Sequence, residues 1–413
     1  MIPQALAQGR RLVHTQIVGT LVRACAVCPI GLEKVLSRDL AQWGYRENGR
    51  DAGRIFFDIP LAKLDEHLAR ANIGLRTADR VMIVAGEFSA VDFDGFYEGI
   101  RGMPWELFCT RETRLVVERA RAHECRLHAQ ATLQSMAQKA VYDALMERFH
   151  LRSMPESGPV LELRLYGHRD RWQVVVDSSG EALSRRGYRK HTHSAPLRET
   201  IAAAMLFLSG WKRARPLLDP FCGSGTIAIE AALYARNQAP GLKRRFSFES
   251  WPSVNPARVG EVREYFRRSL RTDVDTDITA RDIDPAALAL ARANAELAGV
   301  ASCIRFEQAN ALEAVPGPAY SGVLLANPPY GQRMGSPEEA EALAGQFGAV
   351  LGRFAESGWD SGIITADALF STHAMMRPHS IREIVVGQER LYFNWFPGHT
   401  DSMKTGKASG QPR

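Results

Sequence analysis

Eight consecutive residues, Asp219-Pro-Phe-Cys-Gly-Ser-Gly-Thr226, combine a carboxylate with two closely spaced glycines. An apolar run precedes them and a helical pattern begins at Thr226, which predicts a strand, a glycine loop and a helix. Gly223 and Gly225 have no Cβ, so the loop can bend sharply and a ligand can lie against bare backbone. The N-terminus of the following helix offers free N–H groups nearby. The segment therefore predicts a small-molecule site.

A second set of functional groups lies in Asn327-Pro-Pro-Tyr330, directly after an apolar segment that predicts a buried strand. Two prolines fix both φ angles and remove two backbone donors, so the turn is rigid and rich in acceptors. The side-chain oxygen of Asn327 and the carbonyl of Pro328 can hold the N–H bonds of an amine on a ring. Such an amine is a poor nucleophile because its lone pair is delocalised, and these acceptors would turn the lone pair towards an electrophile while Tyr330 stacks on the ring. The predicted catalytic residues are Asn327, Pro328, Pro329 and Tyr330.

The two segments resemble the motifs of the Rossmann-like S-adenosylmethionine (SAM) methyltransferases that modify amino groups on nucleic acid bases. The resemblance implies that the glycine loop wraps the methionine part of SAM, with Asp219 near its ammonium group. The looser dinucleotide pattern G-x-G-x-x-G/A is also satisfied, but it has many accidental matches. The predicted cofactor-binding residues in this loop are Asp219, Pro220, Cys222, Gly223, Ser224, Gly225 and Thr226.

Two further strand ends carry polar residues suited to the same cofactor. Residues 278–282 predict a strand ending at Asp282, whose carboxylate can accept from both hydroxyls of a ribose. Asp284 and Pro285 predict the N-cap and first residue of the next helix. Asn310 follows a third strand, where related methyltransferases commonly carry an aspartate that accepts from the adenine amino group; an amide oxygen also accepts, without the charge. The predicted contacts here are Asp282, Ile283, Asn310, Ala311 and Asn327.

The composition of the 413 residues is globular, with 45% hydrophobic and 24% charged residues. This length predicts two or three domains. The 52 Lys and Arg residues exceed the 46 Asp and Glu residues, and the net charge of +6 favours an anionic partner. No apolar run approaches the ~20 residues of a membrane helix, so we expect a cytoplasmic protein. The six cysteines are scattered and His191-Thr-His193 has no third ligand nearby, so no metal site is predicted.

The first half of the chain predicts small α/β units ahead of the glycine loop. Residues 16–72 alternate strand and helix, which suits a ferredoxin-like domain. Residues 73–177 follow, with strands at 114–119, 160–165 and 172–177 and a helix at 133–149. The predicted organisation adds a linker at 178–194, a Rossmann-like domain at 195–398 with a seven-strand mixed sheet and a first helix beginning at Pro196, and a disordered tail at 399–413.

Four further segments make the resemblance more specific: Cys28-Pro-Ile-Gly-Leu-Glu33, Leu75-Arg-Thr-Ala-Asp-Arg-Val81, Gly95-Phe-Tyr-Glu-Gly99 and Ser184-Arg-Arg-Gly-Tyr-Arg189. They resemble the bacterial THUMP-containing RNA methyltransferases, closest to the group that makes N2-methylguanosine in large-subunit ribosomal RNA. The resemblance covers nearly the whole chain. It implies a ferredoxin-like domain, a THUMP RNA-binding domain and a catalytic domain that transfers a methyl group from SAM to guanine N2, with ribosomal RNA as partner.

Five arginines fall within sixteen residues, between positions 111 and 126. In the strand 114–119, period two puts Leu115 and Val117 on a face that can be buried, and Arg114, Val116 and Glu118 on the other. Taken alone, such a run is typical of a solvated surface. In a THUMP-like module it is suited to pairing with phosphates and stacking on unpaired bases. The predicted nucleic-acid contacts are Arg111, Arg114, Arg119, Arg121, Arg126, Arg189 and Lys190.

The acceptor atom is left open by the tetrapeptide, because Asn-Pro-Pro-Tyr also serves enzymes acting on adenine N6, cytosine N4 and glutamine amide nitrogen. A transfer-RNA guanine-N2 methyltransferase of the same architecture is the main alternative. A protein glutamine-N5 or DNA adenine-N6 methyltransferase is a weaker one, since a glutamine enzyme needs no RNA-binding half. An RNA-binding protein with a vestigial cofactor pocket is the alternative without catalysis.

Overall fold

A computed structural model describes residues 20–189, 197–317, 321–329 and 336–399. In these ranges the chain forms two seven-stranded sheets, and one apolar core runs through both halves. The predicted α/β fold class is confirmed, including the seven-strand mixed sheet of the second half. The predicted tail at 399–413 lies outside the described residues except for His399.

The first sheet is mostly antiparallel, with only its last two strands, β5 and β6, parallel. Its strand order is β2-β3-β1-β4-β7-β6-β5. The elements are β1 (Leu21–Val27), α1 (Glu33–Gln42), β2 (Glu47–Asp51), β3 (Arg54–Pro60), α2 (Leu64–Gly74), β4 (Arg80–Ser89), α3 (Phe93–Arg101), β5 (Arg114–His123), α4 (Gln130–Phe149), β6 (Val160–His168) and β7 (Arg171–Asp177).

Strict alternation in the strands gives this sheet a buried face, against which the helices pack. In β1, for example, Val22, Ala24 and Ala26 belong to the main core, while Cys25 belongs to a small separate cluster on the opposite face. The run β1 to β4 has the βαββαβ order of a ferredoxin-like unit. Strand β2 was not predicted, because its sequence Glu47-Asn-Gly-Arg-Asp51 contains no apolar residue. Strand β4 pairs with both β1 and β7, so the sheet is continuous across the predicted boundary at 72, which stays a prediction.

The second sheet has the strand order β10-β9-β8-β11-β12-β14-β13. Its strands are parallel except β14, which runs antiparallel to both of its neighbours. The elements are α5 (Glu199–Leu208), β8 (Leu217–Asp219), α6 (Thr226–Ala235), α7 (Pro256–Arg268), β9 (Ile278–Asp282), α8 (Pro285–Ala298), β10 (Arg305–Gln308), β11 (Val323–Ala326), α9 (Pro337–Glu356), β12 (Asp360–Thr365), α10 (Phe370–His373), β13 (Ser380–Val386) and β14 (Glu389–Phe396).

Helix α5 begins at Glu199, three residues later than the predicted start at Pro196. Pro196 lies outside the described residues, and the N-cap is Arg198 with extended backbone. The side chains at the start of this helix are engaged within the protein. Thr200 donates to the carboxylate of Asp79, which immediately precedes β4 in the first half. The helix is therefore tied to both halves of the chain.

The segment 237–277 joins the two halves. Two of its aromatic side chains pack against rings of the first half. The ring of Trp251 lies 5.0 Å from that of Phe108, and the ring of Phe266 lies 5.1 Å from that of Trp43. Arg244 donates to two backbone carbonyls of the linker. The segment thus fixes the first sheet relative to the second.

Candidate active site

The four strands β10, β9, β8 and β11 are adjacent and parallel, so their carboxyl ends meet at one edge of the second sheet. The chain crosses from one side of β8 to the other between β10 and β11. Such a switch point opens a crevice outside the carboxyl ends, where ligands bind in sheets of this kind. All the predicted cofactor and catalytic residues in the described ranges follow these strands, and the structure brings them together.

The glycine loop after β8 is a tight turn held by backbone hydrogen bonds. The amide of Cys222 donates to the carbonyl of Arg281 at 2.8 Å, and that of Gly225 to the carbonyl of Cys222 at 2.7 Å. Gly225 precedes α6 with φ 81°, and a Cβ there would lie 3.0 Å from the Cβ of Ala291. A Cβ at Gly223, with φ 50°, would meet no protein atom within 4 Å. Positive φ favours glycine at both positions, a side chain at Gly225 would also lack room, and the space beside Gly223 is open to a ligand.

Asp219, the last residue of β8, is 1% exposed, and within the described ranges neither of its carboxylate oxygens accepts a hydrogen bond. Burial raises the pKa of this carboxyl well above its usual range. The amide of Phe221 favours the ionised form without completing a hydrogen bond, and the nearby charge of Asp282 disfavours it. A buried carboxylate without a partner is costly, so this site suits a cationic group supplied by a ligand.

Asp282, the last residue of β9, supports the glycine loop. One carboxylate oxygen accepts from the amide of Gly223 at 2.8 Å, and the other accepts from the amide of Asp284 at 3.1 Å. A carboxylate has about four lone-pair sites, so acceptor capacity remains for a ribose. The next residue, Ile283, is 67% exposed and forms an apolar surface beside it. As predicted, Asp284 caps helix α8, which has Pro285 in its first turn and ends at Gly299.

Asn310 follows β10 at the predicted edge, but its side chain has a local role. Its amide oxygen accepts from the backbone N–H of Leu312 at 3.0 Å, capping the short 3₁₀ turn Ala311–Glu313. Its amide nitrogen donates to the carboxylate of Glu313 at 3.3 Å. One lone pair of the oxygen is therefore already used, so an adenine contact would have to share it. Ala311 beside it is buried.

Asn327 follows β11 directly, and its side-chain oxygen is buried with no hydrogen-bond partner among the residues that the structure describes. Pro328 is buried and Pro329 half-buried, so the stiff turn is held firmly against the sheet. Tyr330 lies outside the described residues. Buried side-chain acceptors are nearly always satisfied in folded proteins, so this oxygen is a candidate acceptor for an N–H group of a ligand.

Cys222 is buried beside these groups. Burial raises the pKa of its thiol far above the usual range, and the charges of Asp219 and Asp282 add to the effect. The thiol therefore stays neutral and packs as a small apolar side chain, which leaves no thiolate for covalent catalysis.

Arg189 was predicted on a nucleic-acid surface, and the structure places it inside the second half. Its side chain is 13% exposed, forms an ion pair with Glu199 at 3.3 Å and donates to the hydroxyl of Thr226 at 2.5 Å. It also donates to the carbonyl of Leu197. These contacts tie Arg189 to the starts of α5 and α6, and its side chain is largely buried. Lys190 lies outside the described residues.

Sequence reasoning missed two supports of the glycine loop. Besides Arg189, the buried amide of Asn294 in α8 donates to the carbonyl of Ser224 at 3.0 Å. A buried asparagine in the middle of an otherwise apolar helix face was the available signal for this contact. The hydroxyls of Ser224 and Thr226 lie 3.3 Å apart, so the loop's polar groups form one connected set.

The five arginines between 111 and 126 are all exposed, but the structure separates them. Arg111 donates to the carbonyl of Phe149 at the end of α4, and Arg126 lies 3.8 Å from the carboxylate of Asp170. The other three lie on strand β5, and in the described part of the chain their side chains have no hydrogen bond or ion pair. These three are Arg114, Arg119 and Arg121.

Within the described ranges no cluster of His, Cys, Asp and Glu side chains could hold a metal ion. Among the same residues, no helix is long and apolar enough to cross a membrane. All six cysteines are free.

Two family descriptions match the chain. Residues 186–390 match the RMKL-like methyltransferase domain. Residues 23–82 match the RlmL ferredoxin-like domain, which covers β1 to the start of β4. The predicted ferredoxin-like and methyltransferase folds are therefore confirmed.

Several individual proteins are similar over most of the chain. "Putative RNA methyltransferase YpsC" of Bacillus subtilis is 33% identical over 331 residues, which are 78% of this chain and 83% of that protein. "Ribosomal RNA large subunit methyltransferase K/L" of Syntrophotalea carbinolica is 34% identical over 89% of this chain and 52% of the relative. The chain thus spans about half the length of the K/L proteins.

Among solved structures, SMU.472, "a putative methyltransferase complexed with SAH", superposes with a TM-score of 0.84 and 31% identity over 93% of this chain and all of that one. A "possible methylase" from Clostridium difficile 630 superposes with a TM-score of 0.85 and 28% identity, over 92% of this chain and 99% of that one. Both likenesses extend across the two sheets.

Proposed function

Because the chain belongs to the methyltransferase family that has the RMKL-like catalytic domain and includes YpsC, we propose that it methylates the exocyclic N2 of a guanine in RNA. SAM is the methyl donor of this family of folds. We propose large-subunit ribosomal RNA as the substrate. The names of the K/L relatives support this choice, although the chain spans only about half of their length.

The observation that carries the proposal is the orphaned side-chain oxygen of Asn327 at the end of β11. It lies at the same sheet edge as the glycine loop, in a turn stiffened by Pro328 and Pro329. An exocyclic amine offers two N–H donors, and this oxygen together with the Pro328 carbonyl would accept from them. The amine would then be oriented with its lone pair facing the cofactor, and both contacts would strengthen as the nitrogen gains positive charge.

The residues around the glycine loop fit SAM. Asp219 has a buried carboxylate without a partner, which the ammonium of the methionine part would neutralise. The open space at Gly223 lets the ligand approach the backbone, and Asp282 retains lone pairs for the ribose hydroxyls. Ile283 would cover one face of the adenine. When bound, SAM supplies an electrophilic methyl group on a sulfonium.

Three observations support RNA as the partner. The chain has a net charge of +6, and Arg114, Arg119 and Arg121 present unpaired guanidinium groups on one strand. YpsC, the relative covered over 83% of its length, is named as an RNA methyltransferase. Cations on a second domain can pair with RNA phosphates, so the catalytic crevice need not supply most of the affinity for RNA.

Adenine N6 is the second candidate acceptor. A relative from Listeria monocytogenes, 31% identical with a TM-score of 0.82, is described as "a predicted N6-adenine-specific DNA methylase". The Asn-Pro-Pro-Tyr turn can hold an adenine amine as well as a guanine amine, so the turn does not separate the two. A transfer-RNA guanine is a further alternative with the same architecture.

Nucleoside analysis tests the proposal directly. Total RNA and, in a parallel reaction, genomic DNA from a strain lacking this chain are incubated with the purified protein and isotopically labelled SAM. The RNA is separated into 23S and transfer-RNA fractions, and each sample is then digested and analysed by mass spectrometry. Label in N2-methylguanosine from the 23S fraction is the expected result. Label in N6-methyladenosine would show that the acceptor is adenine, and label in the transfer-RNA fraction would show that the substrate is transfer RNA. Label in DNA alone would refute an RNA enzyme. The Asn327→Ala variant serves as the matched control.

A further inference from the structure

The face of the first sheet opposite helices α1 to α4 has an apolar centre covered by arginine side chains. Five buried residues form the small cluster beneath: Cys25, Phe56, Met82, Val84 and Val175. The guanidinium of Arg23 lies 4.5 Å from the centre of the Phe56 ring, and that of Arg54 lies 4.1 Å from the centre of the Tyr166 ring. Flat cationic groups stacked on rings are therefore a feature of this face.

The central arginines of this face are neutralised by acids. Arg23 lies 3.5 Å from Glu87, Arg54 pairs with Asp51 at 2.6 Å, and Arg164 pairs with Glu118. The unpaired positive charge lies instead on β5, the edge strand. Arg114, Arg119 and Arg121 are exposed there, and Glu118 is held by Arg164 and does not neutralise them.

A β-bulge brings these three arginines to the same face. In unbroken alternation, Arg119 and Arg121 would share the buried face with Leu115 and Val117. The register of β5 against β6 shifts between Val117 and Arg119, so Glu118 is the extra residue. After the shift Ala120 takes the buried face, and Arg119 and Arg121 join Arg114 on the open one. Bulges commonly re-aim side chains in this way.

Aromatic rings continue the surface along β5, the edge strand, and its neighbour β6. Tyr166 is the register partner of Arg121, and His168 is the partner of His123. The rings of His123 and His168 are stacked, with centres 5.4 Å apart and planes 15° from parallel. Both histidines are exposed, so the outer faces of the stacked pair and the ring edges are available to a ligand. The carboxylate of Glu124 lies 3.9 Å from the Nδ1 of His123. Cations and rings thus alternate across a strip that also offers hydrogen-bond donors.

The spacing on this strip suits one nucleic-acid strand. Side chains two residues apart on a β-strand are about 6.6 Å apart, so Arg119 and Arg121 can reach two different phosphates of the same strand. The rings beside them favour a strand whose bases are unpaired and exposed. Unstacked bases can in turn stack on guanidinium planes and rings.

We propose that the open face of β5 and β6 binds an unpaired segment of RNA, with Arg114, Arg119 and Arg121 on its phosphates and the His123–His168 pair stacking on a base. The proposal rests on the RNA methyltransferase function proposed above and adds where and in what form the RNA is held. A helical RNA duplex would place its phosphates on a convex surface and keep its bases away from these rings.

Fluorescence anisotropy with the full chain tests this surface. The probes are a labelled RNA single strand of about 12 nucleotides, within the length that one binding surface covers, and the same strand annealed to its complement. We expect the wild type to prefer the single strand. Arg119→Ala with Arg121→Ala should weaken it about tenfold at ~0.1 M salt and reduce the log–log salt slope by about 1.4, or roughly 0.7 for each lost phosphate contact.

Two further variants test the contribution of base stacking and the effect of net charge outside this surface. His123→Ala with His168→Ala, measured at a pH where both rings are neutral, should weaken the single strand severalfold and leave the salt slope unchanged. Arg148→Ala removes an exposed arginine from helix α4, on the other side of the same sheet, and should change neither quantity. Equal loss with Arg148→Ala would mean that net charge alone attracts the RNA, and would overturn the proposal.

Unchanged affinity and slope in the double arginine variant would also overturn it, as would a wild-type preference for the duplex. These failures differ from failure of the proposed function. If the wild type methylates RNA while the double arginine variant binds and methylates equally well, only this surface is wrong. If the wild type neither binds nor methylates RNA, the function itself falls.

Discussion

Replacing Asp219 by asparagine should separate cofactor affinity from stability. Asp219→Asn keeps the shape of the side chain and removes the charge that the SAM ammonium would neutralise. A hydrogen bond to a charged group contributes about 1.5–3 kcal/mol, so SAM should bind roughly 10- to 100-fold more weakly. The unliganded variant should be at least as stable as the wild type, because the carboxylate it loses is buried without a partner.

The raised pKa of Asp219 also predicts how stability and SAM affinity change with pH. Burial raises the pKa of Asp219 in the folded protein, so the folded state holds the proton more tightly than the unfolded chain. Its contribution to stability is complete below the unfolded pKa and is lost as the pH rises through the folded pKa. SAM binding favours the ionised form, so below the folded pKa it should release a proton and weaken as the pH falls.

Isothermal calorimetry in buffers of different ionisation enthalpy measures both SAM affinity and proton release, and thermal unfolding without ligand measures stability. The wild type should release a proton that Asp219→Asn does not. If Asp219→Asn binds SAM as tightly as the wild type, the ammonium does not pair with this carboxylate. If the unliganded variant instead loses the 3–5 kcal/mol that breaking a buried ion pair costs, Asp219 has a protein partner and the reasoning fails.

Three further predictions concern the glycine loop and its supports. Asp282→Ala should weaken SAM binding about tenfold to hundredfold by calorimetry. Its control, Asp284→Ala, removes only a helix cap and should cost about 1 kcal/mol in urea unfolding with little change in SAM affinity. Equal SAM affinities in the two variants would refute the assigned ribose contact. Gly225→Ala should cost about 1–3 kcal/mol in urea unfolding, because alanine is strained at φ 81° and its Cβ lacks room; unchanged stability would show that the loop can rearrange. Arg189→Ala, with Arg189→Lys measured for comparison, should raise the SAM KM more than it lowers RNA affinity, because the guanidinium holds Glu199 and the start of α6. A loss of RNA affinity alone would show that Arg189 contacts nucleic acid.

The sequence carried most of the information on the second half. The strand–loop–helix at Asp219, the capped helix at Asp284 and the turn at Asn327 depend on short-range signals such as glycine, proline and N-cap residues. Those signals act over a few positions, so the elements and their order were predictable. The carboxyl ends of parallel strands lie at one edge of a sheet, so the meeting of these segments was predictable too. The local cap formed by Asn310 competed with its predicted ligand role, and nothing in the sequence separates the two.

What the sequence could not provide depended on contacts between distant residues. Strand β2 lacks an apolar pattern and exists because it pairs with β3 in a hairpin. The bulge at Glu118 reverses the alternation on which the strand prediction relied, and only the pairing with β6 reveals it. In the sequence, Arg189 is part of a basic run. Its ion pair with Glu199 depends on how residues 178–189 pack against α5.

The single-turnover rate of Asn327→Ala tests the central claim most directly. With SAM saturating and RNA from a strain lacking the chain, methyl transfer is measured under conditions where neither cofactor binding nor product release limits it. One preorganised hydrogen-bonding group typically contributes on the order of 10²–10³ in rate, and the unpaired side-chain oxygen of Asn327 is the group in question. We predict a loss of that size with the fold and most RNA affinity retained, and a smaller loss for Asn327→Asp, which keeps an acceptor. A rate for Asn327→Ala within about threefold of the wild type would contradict the proposed mechanism.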